Sequence, residues 1–267
     1  MNLFELKGKT AIVTGALGLL GRKHCEALAE AGARVVVGDM NEGACKEFAQ
    51  SLGQEHIGIK MDVTNKPNLI QNLQAILEHS DSVDILVNNA AVNDSLEKNS
   101  MGTDQSAFEN YPLDAFQKSM DVNITGVFLC SQVFGSEMAR KGSGSIINIA
   151  STYGMVGPDQ NIYKDKEGNQ RFFKSPVYPV TKGAVINFTR FLAAYWGNKN
   201  VRVNSLSPGG VENAQDPYFI ENYSARTPLG RMARPGDYQG ALVFLASEAS
   251  AYMTGANLVV DGGWTSI

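Results

Sequence analysis

The stretch Thr10 to Asp39 constrains this chain more than any other. Thr10 to Thr14 is a short apolar run that ends at Gly15. Gly15-Ala-Leu-Gly18-Leu-Leu-Gly21 follows, then a helical pattern through Ala27, Leu28 and Ala31 that stops at Gly32. Ala33 to Asp39 is a second apolar run that closes on an acid. The order is strand, glycine turn, helix, strand, acid. Glycines let backbone approach a pyrophosphate, whose charge is favoured at a helix N-terminus. Asp39 falls 18 residues after Gly21, where a carboxylate accepts hydrogen bonds from adenosine ribose hydroxyls. That carboxylate repels a 2′-phosphate, and position 40 is Met40 rather than a base, so the pattern predicts NAD over NADP. The competing reading is a glycine-rich turn in a parallel-sheet protein that binds no nucleotide.

The alternation continues along the chain. Strands are predicted at His56 to Asp62, Val83 to Val87, Ser145 to Ala150, Val201 to Leu206 and Leu258 to Val260. Helices are predicted over Glu42 to Leu52, Pro67 to His79, Leu113 to Met138, Val177 to Tyr195 and Gly236 to Ser247. Seven strands alternating with helices, without a composition break, predict an α/β Rossmann-type fold. The expectation is one domain over 1–267: a doubly wound, seven-stranded parallel sheet with helices on both faces. Hydrophobic residues are 43% and charged residues 19%, ordinary for a soluble globular chain. A net charge of −4 points away from nucleic acid or a membrane surface as partner. Cys25, Cys45 and Cys130 are odd in number and widely spaced, which argues against a disulfide framework. His24, His56 and His79 have no metal-ligand spacing, so no metal is expected. No segment resembles a signal peptide or reaches membrane-spanning length; the expected location is cytoplasmic.

Ser175-Pro-Val-Tyr178-Pro-Val-Thr-Lys182 places a phenol and an amine four residues apart, on one face of a helix. An adjacent ammonium favours phenolate, and lowering a tyrosine by roughly 3 units takes about 4 kcal/mol of differential interaction. The pair is a candidate proton-transfer device. Tyr195 and Lys199 repeat the spacing 17 residues later, so the pair alone does not decide.

Taken together, the ordered motifs resemble the classical short-chain dehydrogenases/reductases over nearly the whole chain. They are the Gly15 to Gly21 turn, Asp62 before Val63, Asn88-Asn89-Ala90, Asn123 in DVNITG, Ser151 in IINIAS, Tyr178 with Lys182, Pro208-Gly209, and Asp261-Gly262-Gly263. The resemblance implies catalytic roles for four residues. Tyr178 is the general acid-base, and Lys182 lowers its pKa and bonds the nicotinamide ribose. Ser151 holds the substrate oxygen, and Asn123 supports a water-linked proton relay. It implies cofactor contacts from Gly15, Leu17, Gly18, Leu19, Leu20, Gly21, Asp39, Met40, Asp62, Val63, Asn89, Ala90 and Ala91. Tyr178, Lys182, Pro208, Gly209, Val211 and Asn213 complete that set. It also implies a homotetramer or homodimer, with the apolar tail and the helices of 114–138 and 176–195 at the subunit contacts.

The chain departs from the family pattern in several places. Leu19 stands at the usual middle glycine, with Gly18 one place earlier. Ala91 replaces a glycine, and Asn213 stands where a threonine is common after Pro208-Gly209-Gly210. Ser151 and Tyr178 are 27 residues apart, because 153–176 forms a long insertion. With 92–112 and the lid position 214–232, it is expected to rim the substrate pocket. Lys164, Lys166, Arg171 and Lys174 in the insertion suggest a polar, anionic substrate, or else a solvated loop surface. The segments around LGLLGR, SPVYPVTK and SPGGVENAQDP are similar to relatives from bacterial surface-sugar (nonulosonate, flagellin-glycan) pathways. That similarity implies a sugar phosphate or sugar nucleotide. The expected activity is interconversion of a secondary alcohol and a ketone with NAD(H). The alternatives are a non-catalytic NAD(H)-binding regulator, a reductase of an acyl or other small carbonyl compound, and a dehydratase or epimerase.

Overall fold

The computed structural model describes residues 2–93 and 102–267. The elements run β1 Thr10–Thr14, α1 Leu19–Glu30, β2 Arg34–Asp39, α2 Glu42–Leu52, β3 Ile57–Lys60, α3 Lys66–His79, β4 Ile85–Asn88 and α4 Gly102–Ser106. They continue through α5 Leu113–Met120, α6 Gly126–Cys130, α7 Ser136–Lys141, β5 Gly144–Ile149, α8 Val177–Trp196, β6 Val201–Pro208, α9 Pro217–Ala225, α10 Gln239–Ala246 and β7 Asn257–Val260. The described strands form one seven-stranded sheet in the order β3-β2-β1-β4-β5-β6-β7, and every pair is parallel. The predicted doubly wound Rossmann sheet is therefore present, in a single domain.

A two-residue side-chain period splits each strand between two cores. In β1, Ala11 and Val13 enter the core under α1 and α10, while Ile12 enters the one under α3 and α8. In β5, Ile147 and Ile149 face the first core and Ile146 the second. Between the middle strands the fill is polar and paired. Asn88 donates to Asn148 at 2.8 Å, and Asn148 donates to Thr189 of α8 at 2.9 Å. The helix-turn and strand signals located the elements to within a few residues.

Three stretches add detail to the sequence expectation. The helical region expected over Leu113 to Met138 is present and carries π-turns at Asp121–Thr125 and Ser131–Gly135. Each turn carries a buried polar side chain that bonds outside the helix. Asn123 grips Val92, and Ser131 accepts from Asn88; such bulges release the i to i−4 ladder locally. The insertion 153–176 has internal order. It holds 3₁₀ turns at Thr152–Gly154 and Gln160–Tyr163 and an antiparallel bridge between Lys164 and Gln170. The loop expected over 92–112 includes α4, and its part at 94–101 lies outside the described residues.

Candidate active site

The glycine turn after β1 is shaped by backbone contact. Gly15 has φ +61°, and a Cβ there would lie 2.7 Å from Ala90 Cα. A Cβ on Gly21 would lie 2.2 Å from Gly15 O, so α1 presses directly on the turn. Gly18, by contrast, is the N-cap of α1 at φ −69°, a conformation open to any residue. The displaced glycine thus sits at the helix entry, and Leu19 opens α1 with its side chain partly exposed.

Neighbouring strands brace this turn. Asn89 donates to Thr14 O at 3.0 Å and to Gly15 O at 2.9 Å. Thr14 Oγ1 accepts from the backbone N–H groups of Asn89 and Ala90 and donates to Val87 O. Sequence reasoning passed over Thr14; its signal was a hydroxyl at the last position of an otherwise aliphatic strand. Asp39, at the end of β2, accepts from the backbone N–H of Leu17 at 3.0 Å and of Met40 at 2.7 Å. The carboxylate therefore holds the turn as well as facing the cleft.

A cleft of about 1810 Å³ runs along the carboxyl ends of β1 to β6. It crosses the point where strand order reverses, between β1 and β4. Its first half is lined by Gly15, Gly18, Leu19, Leu20, Gly21, Asp39, Met40, Asp62, Val63, Asn89, Ala90 and Ala91. Asp62 is set by bonds from the backbone N–H and the hydroxyl of Thr64. The second half is lined by Ser151, Tyr178, Lys182, Pro208, Gly209, Val211 and Asn213. Residues far apart in sequence thus meet in one cavity. Two predicted residues do not line it. Leu17 packs its side chain on the α1 core and turns only its N–H toward Asp39. Asn123 stands behind the wall, bonded to both Val92 backbone groups at 2.8 and 3.0 Å and to Thr181.

Ser151 follows β5 in extended backbone and caps the turn at Tyr153. Tyr178 and Lys182 lie in the first turns of α8, with Lys182 Nζ 5.8 Å from the Tyr178 ring centre. Lys182 is buried and donates to Ile149 O at 2.7 Å. Loss of water pulls its pKa down to about 8. Ile149, the acceptor, carries no side-chain signal that sequence could have offered. Tyr195 is 64% exposed and stacks on Phe191 at 5.8 Å, far from the cleft. At ~1.5 Å per residue it lies roughly 25 Å from Tyr178 along α8.

The insertion and α9 meet through an aromatic seam. Tyr163 packs on Phe172 and Phe219, Phe219 on Tyr223, and Tyr223 stacks on Trp264 at 4.1 Å. Tyr163, Phe172, Phe219 and Tyr223 line the cleft together with Lys164, Arg171, Lys174 and Asp216. Tyr223 also accepts from Gly210 N–H at 2.6 Å, where any Cβ would strike its ring. Of the basic residues expected to face substrate, Arg171 is tied to Asp216 at 3.0 Å. The insertion's Asp159 holds Arg226 from the lid.

The cradle fits a dinucleotide. Backbone that admits no Cβ lies on either side of the α1 entry, at Gly15 and Gly21, and Asp39 stands one strand away. A family described as enoyl-(acyl carrier protein) reductase matches residues 15–265. Galactitol 2-dehydrogenase (L-tagatose-forming) of Cereibacter sphaeroides is 36% identical over 99% of this chain and 98% of its own. The crystal structure of a gluconate 5-dehydrogenase from Burkholderia cenocepacia, in complex with NADP and tartrate, superposes with TM-score 0.85 at 29% identity, covering 100% and 98% of the two chains. A short-chain dehydrogenase from Leptospira borgpetersenii with bound NAD+ gives TM-score 0.85 at 32% identity over 99% and 96%. Sequence, topology and cleft converge on one assignment: the chain belongs to the short-chain dehydrogenases/reductases, oxidoreductases that act on CH–OH groups.

Proposed function

We propose that the protein is an NAD(H)-dependent dehydrogenase that interconverts a secondary alcohol and a ketone on a polyol or sugar-acid substrate, with Tyr178 as acid-base. The observation that carries this reading is the single cleft joining the glycine turn and Asp39 to Ser151, Tyr178 and Lys182. The nicotinamide, when bound, supplies the hydride acceptor or donor. Tyr178 takes the hydroxyl proton during oxidation and returns it during reduction. The Ser151 hydroxyl donates to the substrate oxygen as charge builds there. Lys182, held on Ile149 O, favours the phenolate through its ammonium, and its pKa of about 8 leaves its proton easily exchanged. Asn123 fixes the Val92 peptide that follows β4 and so sets one wall of the cleft.

Two features favour NAD. Asp39 presents a carboxylate at the ribose position, and Met40 follows it where a base would be needed for a 2′-phosphate. For the substrate, the galactitol and gluconate relatives support a polyol or sugar acid over a sugar phosphate or nucleotide. The aromatic walls support it too, since they offer flat faces to sugar C–H groups while Arg171 is occupied by Asp216. We also propose a homo-oligomer, a tetramer or dimer, with the exposed face of α8 at a subunit contact.

Hexitols, tetritols, sugar acids and simple secondary alcohols, screened by the appearance of NADH, test the substrate class. Tyr178→Phe should lower kcat by at least about 10³-fold while NADH affinity stays within twofold. Turnover retained in Tyr178→Phe would remove Tyr178 from its proposed role.

A further inference from the structure

The insertion brings a second amine to Tyr178. Lys174 lies four residues before Tyr178, outside α8, and its Nζ is 4.9 Å from the Tyr178 ring centre. That is closer than the 5.8 Å of Lys182. Lys174 is only 8% exposed and lines the cleft. Its backbone is clamped by one amide: Gln160 Oε1 accepts from Lys174 N–H at 2.8 Å, and Gln160 Nε2 donates to Lys174 O at 3.4 Å. The neighbouring Phe173 N–H donates to Ser106 of α4 at 2.9 Å. The ammonium donates to Asn93 Oδ1 at 3.1 Å, one residue past the Val92 peptide that Asn123 grips. The insertion therefore delivers a fixed, desolvated cation to the phenol, with both its backbone and its head group held.

Resting on the acid-base role proposed for Tyr178, we propose that Lys174 is a positioning residue for proton transfer: its ammonium joins that of Lys182 in favouring the Tyr178 phenolate. A cation in a poorly hydrated wall stabilises the charged phenolate more than it would in water. Its effect falls on whichever substrate is bound, because it acts on the tyrosine. Among the described residues, the charged or titratable groups lining the substrate half of the cleft with Tyr178 are Lys182, Lys174, Lys164, Arg171, Asp216, Tyr153, Tyr163 and Tyr223. Arg171 and Asp216 largely cancel each other. Tyr153 and Tyr163 share a bond at 3.2 Å, and burial raises Tyr223 so that it stays neutral. Lys182 sits near its own titration point, so its charge declines as pH rises through about 8.

The test is ultraviolet titration of tyrosinate, read as the difference between each protein and its Tyr178→Phe counterpart. It is run on the full chain and paired with the pH profile of kcat/KM for oxidation. Removing the cation should move the Tyr178 midpoint up by roughly 1 pH unit in Lys174→Met and Lys174→Gln, and leave it near the wild-type value in Lys174→Arg. The rising limb of kcat/KM should move with it, for neutral polyols and sugar acids alike. A midpoint that stays put in both uncharged variants would overturn the proposal. So would a rise in KM confined to sugar acids with the midpoint unmoved, which would make Lys174 an anion contact instead. Loss of NADH binding in both uncharged variants would assign the lysine to folding and also end the proposal. The absorbance reading does not need turnover: if Tyr178→Phe remained active, the acid-base reading would fail while the coupling of Lys174 to the phenol was still measured.

Discussion

Asp39 shows how one side chain can serve both fold and ligand. Its two carboxylate oxygens accept from the Leu17 and Met40 N–H groups, so it pins the glycine turn from the next strand. In the proposed complex the same carboxylate faces the adenosine ribose. Asp39→Ala should weaken NADH binding by about 10- to 100-fold, roughly 1.4 to 3 kcal/mol, and narrow the gap to NADPH. Fluorescence titration with both nucleotides reads this. Unchanged NADH affinity would remove Asp39 from the cofactor site. Tyr178 and Lys182 could be named from spacing and family pattern. Lys174 could be noticed only as one base among four in a loop. Its nearness to Tyr178 depends on the Gln160 clamp, a tertiary contact across 14 residues.

At the scale of elements, α1 combines a functional start with a liability in its middle. Gly21 lets the helix press on the turn, and three positions later His24 is fully buried. Among the described residues neither ring nitrogen of His24 has a partner. Burial lowers its pKa from 6.5 to about 4. The unfolded chain therefore binds more protons than the native state between those values, and stability must fall as pH drops through that window. The full shift corresponds to about 3 kcal/mol. Denaturant midpoints should fall between pH 6.5 and 4 for the native sequence. The fall should be smaller by a large part of that amount in His24→Leu. Equal pH sensitivity in the two proteins would show that His24 is not the group responsible. The insertion teaches a different lesson about elements. Its sequence has no helical or alternating period, so nothing local announces its shape. Order comes from Tyr163 and Phe172 packing on Phe219 of α9, and from the Gln160 and Gln170 amides bonding across the loop.

The molecule also carries a partly exposed aromatic face away from its cleft. Phe188, Phe191 and Tyr195 stack along α8 at 6.1 and 5.8 Å, and Phe128 of α6 lies 6.2 Å from Phe188. Phe191 is 59% exposed and Tyr195 64%. A contiguous patch of large rings in water is costly for a monomer and suits a contact with a second copy. Phe191→Glu should lower the light-scattering mass at micromolar concentration by at least half. A mass that does not change would remove this face from the proposed subunit contact. The same face explains why Tyr195 and Lys199, identical in spacing to Tyr178 and Lys182, belong to the surface: Tyr195 sits at the far end of α8 and Lys199 in the 3₁₀ turn that follows it, away from the strand carboxyl ends.

Fold and cofactor cradle were legible in sequence because both rest on local, repeated signals. Apolar runs, helix stops, glycines where no Cβ fits, and an acid at the end of β2 are each readable within about thirty residues. The order of motifs then singled out Ser151, Tyr178 and Lys182. Only the tertiary structure decided which groups surround them. Thr14 braces the turn, Ile149 O holds Lys182, and Lys174 reaches Tyr178 through bonds between segments that no local pattern links. Composition counts side chains without saying which way they turn. Folding sends Phe219 and Tyr223 into the cleft and ties Arg171 to Asp216, so burial and pairing, rather than residue counts, set the character of the substrate wall.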